Sequence, residues 1–279
     1  AGLVRTPKEW GTRGEKPTHP ELLDWLASEY MQQGWSLKQI IREIVTSSAY
    51  RQSSNLRSDM LDRDPANTML YRQNSFRVEG EITRDLFLAA GGLLNDAVGG
   101  PSVRPPLPAG ITDLSYAGSV KWDTSKGADI YRRGMYIWFQ RTIAFPQLMA
   151  FDCPDSNVTA IRRNRSNSPL QALTLLNDPA FVECAQSLAK RTLSTAPADP
   201  PARIQLTVKN CLARGAGEDE VKLLSDLVTE QQNFYSDKPD LAAKIAGPAK
   251  DATANPAEAA AYTIMARTVL NLDEFVTRE

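Results

Sequence analysis

Apolar residues recur at helical spacing along most of the chain and predict a mainly α-helical protein. One apolar stripe covers residues 22–30 and a second covers residues 37–45, with Gly34 between them at a position that suits a helix C-terminus. Each stripe follows a capping-box pattern, Thr18 to Glu21 and Ser36 to Gln39. Residues 18–50 are therefore predicted to form two helices packed as a hairpin.

The same spacing predicts further helices. Residues 78–93 form a third apolar stripe that ends in glycines, and residues 168–177 begin with a capping box that contains proline. The pair Asp178-Pro179 interrupts that helix and starts another. Later stripes cover residues 204–228 and 256–272, and Asn255-Pro256 marks the start of the last helix.

The middle of the chain lacks this periodicity. Residues 100–130 are rich in glycine, proline and serine and predict a long irregular segment, and loops of that length are usually functional or mobile. Residues 131–143 are aromatic and partly alternating, which predicts a short strand, with an amphipathic helix as the alternative. The expected fold is a multi-helix domain with at most a short strand pair. We expect a helical core domain at 1–195 and a C-terminal helical subdomain at 196–279.

Charge and composition narrow the classes of function. The 32 basic and 33 acidic residues give a net charge of −1, so no overall field attracts nucleic acid or an anionic membrane. No apolar run approaches the roughly 20 residues that span a bilayer. We therefore expect neither nucleic acid nor a membrane span among the partners of this segment.

Several catalytic and metal-binding motifs are missing. With His19 as its one histidine, the sequence offers no two-histidine metal site, and it contains no P-loop, dinucleotide fingerprint or nucleophile elbow. Cys153, Cys184 and Cys211 stand far apart, which rules out a thiolate zinc cage and a covalent haem motif here. We expect no metal and no cofactor in this segment, and Cys153 is interpreted as a packing residue.

The strongest candidate site lies between Arg132 and Asp178. The basic residues of that stretch are all arginines: Arg132, Arg133, Arg141, Arg162, Arg163 and Arg165. Arginine offers a planar fork that pairs with carboxylates and tolerates burial, so these residues indicate fixed geometry. The acids of that stretch include Asp152 and Asp155.

Two interpretations of these groups stay open. In the structural one, Arg162, Arg163 and Arg165 pair with the nearby aspartates, and this reading is favoured because buried arginines usually satisfy their own neighbours. In the functional one, some of these arginines face a cleft and bind an anionic or polyhydroxylated ligand. Asp152 or Asp155 would then act as an acid or base, and Trp138 or Tyr136 would be a stacking platform. Other charged residues, Glu79, Glu81, Arg84 and Asp85, are interpreted as an exposed helix face. Trp122 and Tyr116 line a ligand surface or pin the irregular loop, with neither preferred.

A set of motifs resembles one known family. They are "THPELLDWLASEY", "DPANTMLYRQNSFRVEGEITRDLFLAAGG", "GGPSVRPPLPAG", "YRRGMYIWFQRT", "FDCPDSNVTAIRRNRSNSPLQALTLLNDPAF" and "LNLDEF". Their order along nearly the whole chain resembles the DUF1553 domain, also called PSD1. The resemblance implies the C-terminal part of a planctomycete-type protein, with a signal peptide, a cytochrome c domain and a DUF1549 domain upstream.

The resemblance sets expectations about context. It implies a periplasmic or extracellular protein, a haem c in the upstream domain and a DUF1501 protein as a possible partner. We expect a module for docking or for recognising a polar or anionic ligand, with carbohydrate as one class. The alternative is an enzyme domain that acts on carbohydrate, either as an oxidoreductase passing electrons to the upstream haem or as a hydrolase using Asp152 or Asp155. The sequence leaves open whether the chain is an enzyme.

Overall fold

The computed structural model describes residues 3–9, 11–108, 110, 122–140, 144–248 and 255–278. The chain divides into two compact units, one made of residues 1–76 with 278–279 and the other of residues 77–277.

The described residues form α-helices and very little sheet, so the prediction of a mainly α protein is confirmed. The helices are α1 (Pro20–Gln32), α2 (Leu37–Thr46), α3 (Gly80–Gly91), α4 (Pro146–Ala150), α5 (Pro169–Asn177), α6 (Pro179–Thr195), α7 (Pro200–Leu212), α8 (Glu218–Ser236), α9 (Pro239–Ala246), α10 (Pro256–Leu270) and α11 (Asp273–Val276). Strands β1 (Phe76–Arg77) and β2 (Thr277–Arg278) pair with each other.

The first unit contains the predicted helical hairpin, α1 and α2, which pack against each other. Gly34 follows α1 with φ +65°, as the helix end requires. The predicted cap at Thr18 is wrong, because α1 starts one residue later and the Thr18 hydroxyl donates instead to the Leu3 carbonyl at 3.3 Å. Ser36 occupies the cap position of α2 without a side-chain hydrogen bond.

The main hydrophobic core of the second unit lies between its helices, and two smaller clusters form around Phe145 and Tyr235. Helices α3, α6, α8 and α10 pack together in the main core, and their largest buried side chains include Phe87, Phe181, Tyr262 and Met265. The rings of Phe87 and Phe181 lie 4.1 Å apart between centroids. Helices α8 and α10 share this core with α3 and α6. The two compact units divide after residue 76, and a C-terminal subdomain that begins at residue 196 stays a prediction.

Helices α3 and α6 approach each other closely at a glycine. A methyl group on Gly91 would lie 2.9 Å from the backbone oxygen of Cys184, so only hydrogen fits at this contact. Cys184 is 1% exposed and belongs to the same core. The close approach fixes the position of α3, the helix on which the candidate site is built.

The irregular middle segment is confirmed where the structure describes it, but the predicted strand is wrong. Residues 131–140 form neither a strand nor an α-helix, and short 3₁₀ turns occupy Gly127–Tyr131 and Gly134–Tyr136. The backbone groups of residues 131–140 hydrogen-bond to several separate segments and not to one neighbouring strand. Val103 N–H donates to the Tyr136 carbonyl at 2.8 Å, and Gly134 N–H donates to the Asp85 carboxylate at 2.6 Å.

Candidate ligand pocket around Arg84

The second unit contains a pocket of about 160 Å³ between α3, the irregular segment and the junction of α5 with α6. Its polar lining comes from Arg84, Tyr131, Gln147, Asp178 and Glu183. Apolar side chains supply the rest of the wall, among them Leu88, Leu107, Ile130, Phe145 and a set of prolines, Pro105, Pro106, Pro108, Pro146 and Pro179.

Proline positions explain how the wall is built. Pro146 and Pro179 stand in the first turns of α4 and α6, where the missing N–H leaves no helix bond unmade. Pro105 is held from outside the pocket, because the Trp122 indole N–H donates to its carbonyl at 2.8 Å. The Trp122 ring also stacks on Phe145, with centroids 6.1 Å apart. Trp122 therefore pins the irregular segment, one of the two roles that the sequence allowed.

Arg84 lines the pocket and is 2% exposed. Its Nη1 donates to Gln147 Oε1 at 3.0 Å and its Nη2 to the Ile130 carbonyl at 2.7 Å. Its buried Nε has no hydrogen-bond partner among the residues that the structure describes. Both acceptors are uncharged, and burial lowers the pKa of Arg84 below its usual value. A buried guanidinium that contacts neutral acceptors retains attraction for a further acceptor.

Gln147 links Arg84 to Asp178. Its amide Nε2 donates to Asp178 Oδ1 at 3.1 Å, and the same oxygen accepts from Ala180 N–H at 2.9 Å as the N-cap of α6. Burial raises the pKa of Asp178, although the hydrogen bonds it accepts act in the opposite direction. The Asn-Asp-Pro break that the sequence predicts thus places a carboxylate in the pocket wall.

The rim carries a phenol and a second carboxylate. Tyr131 Oη donates to Glu183 Oε1 at 2.6 Å, and this hydrogen bond, with some burial, raises the pKa of Tyr131 to about 12. Glu183 is exposed on α6. Its second oxygen can accept from a ligand, because the hydrogen bond from Tyr131 engages Oε1 alone.

The arginines singled out from the sequence that the structure describes are not among the residues lining this pocket. Arg163 pairs with Glu79 at 3.0 Å and with Glu81 at 2.8 Å, and Arg165 pairs with Glu79 at 3.7 Å. The expected pairing of Arg163 with the nearby aspartates is wrong, since its acidic partners come from the start of α3, more than 80 residues earlier. Glu79 and Glu81 are thus not simply an exposed helix face. Arg162 is exposed.

Asp152 and Asp155 each hold local backbone. Asp152 Oδ2 accepts from both the N–H and the hydroxyl of Ser166 at 2.7 Å. Partial burial favours the protonated acid, but donation by Ser166 and Gln171 outweighs it and lowers the pKa of Asp152. Asp155 accepts from Asn157 N–H at 3.0 Å and from its amide at 2.7 Å. A cavity of about 10 Å³ beside Asp152 and Arg165 has room for about one water molecule.

The remaining candidates hold the irregular segment in place. Arg132 is 4% exposed and donates to the carbonyls of Ala97 and Pro101, each at 3.1 Å, and of Gly99. Arg133 pairs with Asp85 at 3.3 Å. The Arg104 guanidinium lies over the exposed Trp138 ring, with its Cζ 4.6 Å from the ring centroid. Arg141, like Tyr116, lies outside the described residues. A ligand role for these arginines stays a prediction.

Comparison with known proteins identifies the family of the chain. The sequence profile described as "PSD1: Protein of unknown function (DUF1553)" matches residues 1–228. The chain belongs to this family. No curated protein and no solved structure matches the chain.

The described residues were also searched for metal-binding groups, reactive thiols and membrane-spanning helices. No group of three or more histidine, cysteine or acidic side chains is placed there to hold a metal ion. Burial raises the pKa of Cys153 to about 11, with Glu81 Oε1 3.7 Å from its sulfur, in keeping with a packing role. No described helix combines the length and apolar character that a membrane crossing requires.

Sequence reasoning missed the pocket because it placed Arg84 on an exposed face. The sequence carried one signal, because Arg84 stands at helical spacing from Gly80, Phe87 and Gly91 and so shares their helix face. The structure buries all four residues. An arginine on the apolar face of a helix indicates a buried charge with a dedicated partner set. Gln147, Tyr131 and Glu183 carried no comparable signal, because each comes from a different segment.

Proposed function

We propose that this chain is a ligand-recognition module and that the pocket around Arg84 binds one ring of an uncharged, hydroxylated ligand such as a sugar. The observation that carries the proposal is the buried Arg84 guanidinium, which lines the pocket and hydrogen-bonds to neutral acceptors. Such a group donates to a ligand oxygen without first breaking an ion pair.

The charges in the wall favour a neutral ligand. One guanidinium, Arg84, is accompanied by two carboxyl groups, Asp178 and Glu183, so a phosphate or sulfate would meet repulsion as well as attraction. A hydroxyl group both donates and accepts, which allows it to satisfy Arg84 and Glu183 together. This mixture of donors and acceptors suits a polyol.

The size and the apolar walls favour a single ring. Ligand pockets for drug-sized molecules usually have volumes of roughly 300–1,000 Å³. The Arg84 pocket has about 160 Å³ and is walled by prolines and Phe145, against which the C–H face of a sugar ring can pack. A chain end or a monosaccharide fits this space better than an internal stretch of polysaccharide.

Calorimetric titration with neutral monosaccharides and short oligosaccharides tests the proposal. Glu183→Gln and Tyr131→Phe change the rim while leaving the core intact, and each is expected to weaken binding about fivefold to tenfold, as the loss of one hydrogen bond does. Glu230→Gln, on an exposed position of α8, is the matched control and should bind like the parent chain.

Two results would refute this function. One is the absence of binding to any neutral sugar in the panel at millimolar concentration. The other is preferential binding of uronic acids or sulfated sugars, because that would mean that Arg84 outweighs the two carboxyl groups.

An enzymatic role for Asp152 or Asp155 receives less support. Asp152 accepts three hydrogen bonds from Ser166 and Gln171, and its pKa is lowered, which suits an anchor better than a general acid. Asp152→Asn and Asp155→Asn are therefore expected to leave any carbohydrate-directed activity of the full-length polypeptide unchanged. A large loss of activity in a variant that remains folded would restore the enzymatic alternative.

We also propose that the parent polypeptide is exported and carries a haem c domain and a DUF1549 domain, with a DUF1501 protein as a partner. The family resemblance supports this context. Haem staining of the native polypeptide after denaturing electrophoresis tests the covalent haem, and an unstained band of full length would refute it.

A further inference from the structure

The arginine loop, defined as residues 153–165, is closed at its base by side chains. Asp152 Oδ2 accepts from the N–H and the hydroxyl of Ser166, so the residues that flank the loop are held together. Gln171, in the first turn of α5, donates to the Ser166 hydroxyl at 3.1 Å. Compact loops of this length with adjacent ends are frequently functional.

A second contact holds the loop to the core. Arg163 binds Glu79 and Glu81 at the start of α3, and hydrogen bonding to Glu81 raises the pKa of this guanidinium. Asp155 accepts from the N–H and the amide of Asn157, which shapes the turn before the tip. The loop thus has a defined base.

The tip of this loop is exposed and partly apolar. Val158 is 78% exposed and Ile161 is 54% exposed. Arg162 beside them is exposed and forms no ion pair with any residue that the structure describes. Leu170 and Leu173, 64% and 56% exposed, extend the apolar surface onto α5 at i,i+3 spacing next to the loop base.

We propose that the tip of the arginine loop, Val158 to Arg162, docks an acidic segment of a partner protein. Arginine is enriched at protein interfaces, and exposed aliphatic side chains beside it offer apolar area for a partner to bury. Among the residues that the structure describes, Arg162 has no carboxylate partner, and an acidic partner would supply one. A membrane surface is a poorer match, because binding to anionic lipid relies on clusters of basic residues, whereas Arg163 and Arg165 beside Arg162 are already paired with Glu79. The positive charge of Arg162 favours carboxylates in the partner, because interface charges are usually complementary.

This docking surface explains the arrangement of the arginines. Arg163 faces inward and anchors the loop, whereas its neighbour Arg162 faces solvent. The docking surface is separate from the Arg84 pocket, because no residue of the loop lines that pocket. The two proposals therefore stand or fail independently.

Selection of a random displayed peptide library on the immobilised chain tests this inference. We expect enrichment of peptides that combine aspartate or glutamate with aliphatic residues. Val158→Ser and Arg162→Gln should each weaken their binding about tenfold. Val98→Ser, another loop valine that is 86% exposed, is the matched control and should not change it. Arg162→Glu should instead select basic peptides.

Each other outcome counts against the proposal. Enriched peptides without acidic residues, or peptides that bind Arg162→Glu as well as the parent, would overturn it. Binding of the parent chain to phosphatidylglycerol vesicles that depends on Val158 and Arg162 would assign the tip to a membrane. Self-association that is lost in the same variants, measured by light scattering, would assign it to a second copy of the chain. The exposed positions predict unchanged unfolding midpoints for all these variants.

Discussion

Substitutions at Asp152 separate the effect of a carboxylate from that of a strained backbone. Asp152 has φ +61°, a conformation that aspartate and asparagine tolerate better than alanine. Its Oδ2 accepts two hydrogen bonds of 2.7 Å from Ser166. Asp152→Asn keeps an acceptor and the backbone tolerance but removes the charge, whereas Asp152→Ala removes all three.

The magnitudes follow from these contacts. A hydrogen bond to a charged group contributes about 1.5–3 kcal/mol when buried, and solvent screening reduces that at a partly exposed site. We expect Asp152→Asn to lower the free energy of unfolding by about 1 kcal/mol. Asp152→Ala should lower it by about 2–4 kcal/mol, because the left-handed backbone adds about 1 kcal/mol. Asp152→Gly should be about 1 kcal/mol more stable than the alanine variant.

Urea denaturation at several pH values measures these differences. The pKa of Asp152 is lowered in the folded protein, so its contribution is complete above the unfolded pKa of about 3.9 and is lost as the pH falls through the folded pKa. The gap between the parent and Asp152→Asn should therefore be full at pH 7 and shrink below about pH 4. Ser166→Ala should reduce the effect of Asp152→Asn. A gap that is independent of pH, or an asparagine variant as stable as the parent, would refute this reasoning.

Three further predictions concern packing and ionisation. Gly91→Ala should lower the free energy of unfolding by about 1–3 kcal/mol in urea, because its methyl group would meet the Cys184 backbone; an unchanged midpoint would contradict the close approach. Cys153, with its pKa raised to about 11 by burial, should react with iodoacetamide at pH 8 much more slowly in the native chain than in urea, as peptide mass spectrometry can measure. Tyr131→Phe should remove a phenol that ionises near pH 12 from the absorbance titration at 295 nm. If the variant instead lost a phenol that ionises near pH 10, the hydrogen bond from Tyr131 to Glu183 would be contradicted.

Local sequence signals predicted the helices well. Stripes at helical spacing located α3 and α10, and Ser168 accepts from Gln171 N–H as its capping box requires. Asn255 likewise caps α10 by accepting from Ala257 N–H. These signals work because caps and apolar stripes depend on residues a few positions apart.

Long-range partners could not be predicted in the same way. Arg163 finds Glu79 and Glu81 across more than 80 residues, although Asp155 is far closer in sequence. Closeness in sequence did not predict the partners of Arg163, because core packing brings α3 and the segment after α4 together. The Arg84 pocket escaped prediction for the same reason, since its polar groups come from three separate helices and the irregular segment.

The three carbonyls bound by Arg132 have a consequence for sequence variation in this protein. Arg132 connects Ala97, Gly99 and Pro101 through one planar group, and lysine has no fork that could reach all three. Tolerance to mutation should therefore be uneven. Helix surfaces can accept many replacements, whereas the backbone path of residues 97–101 depends on the one side chain of Arg132. In a deep mutational scan, position 132 should stand out as intolerant even of the conservative change to lysine.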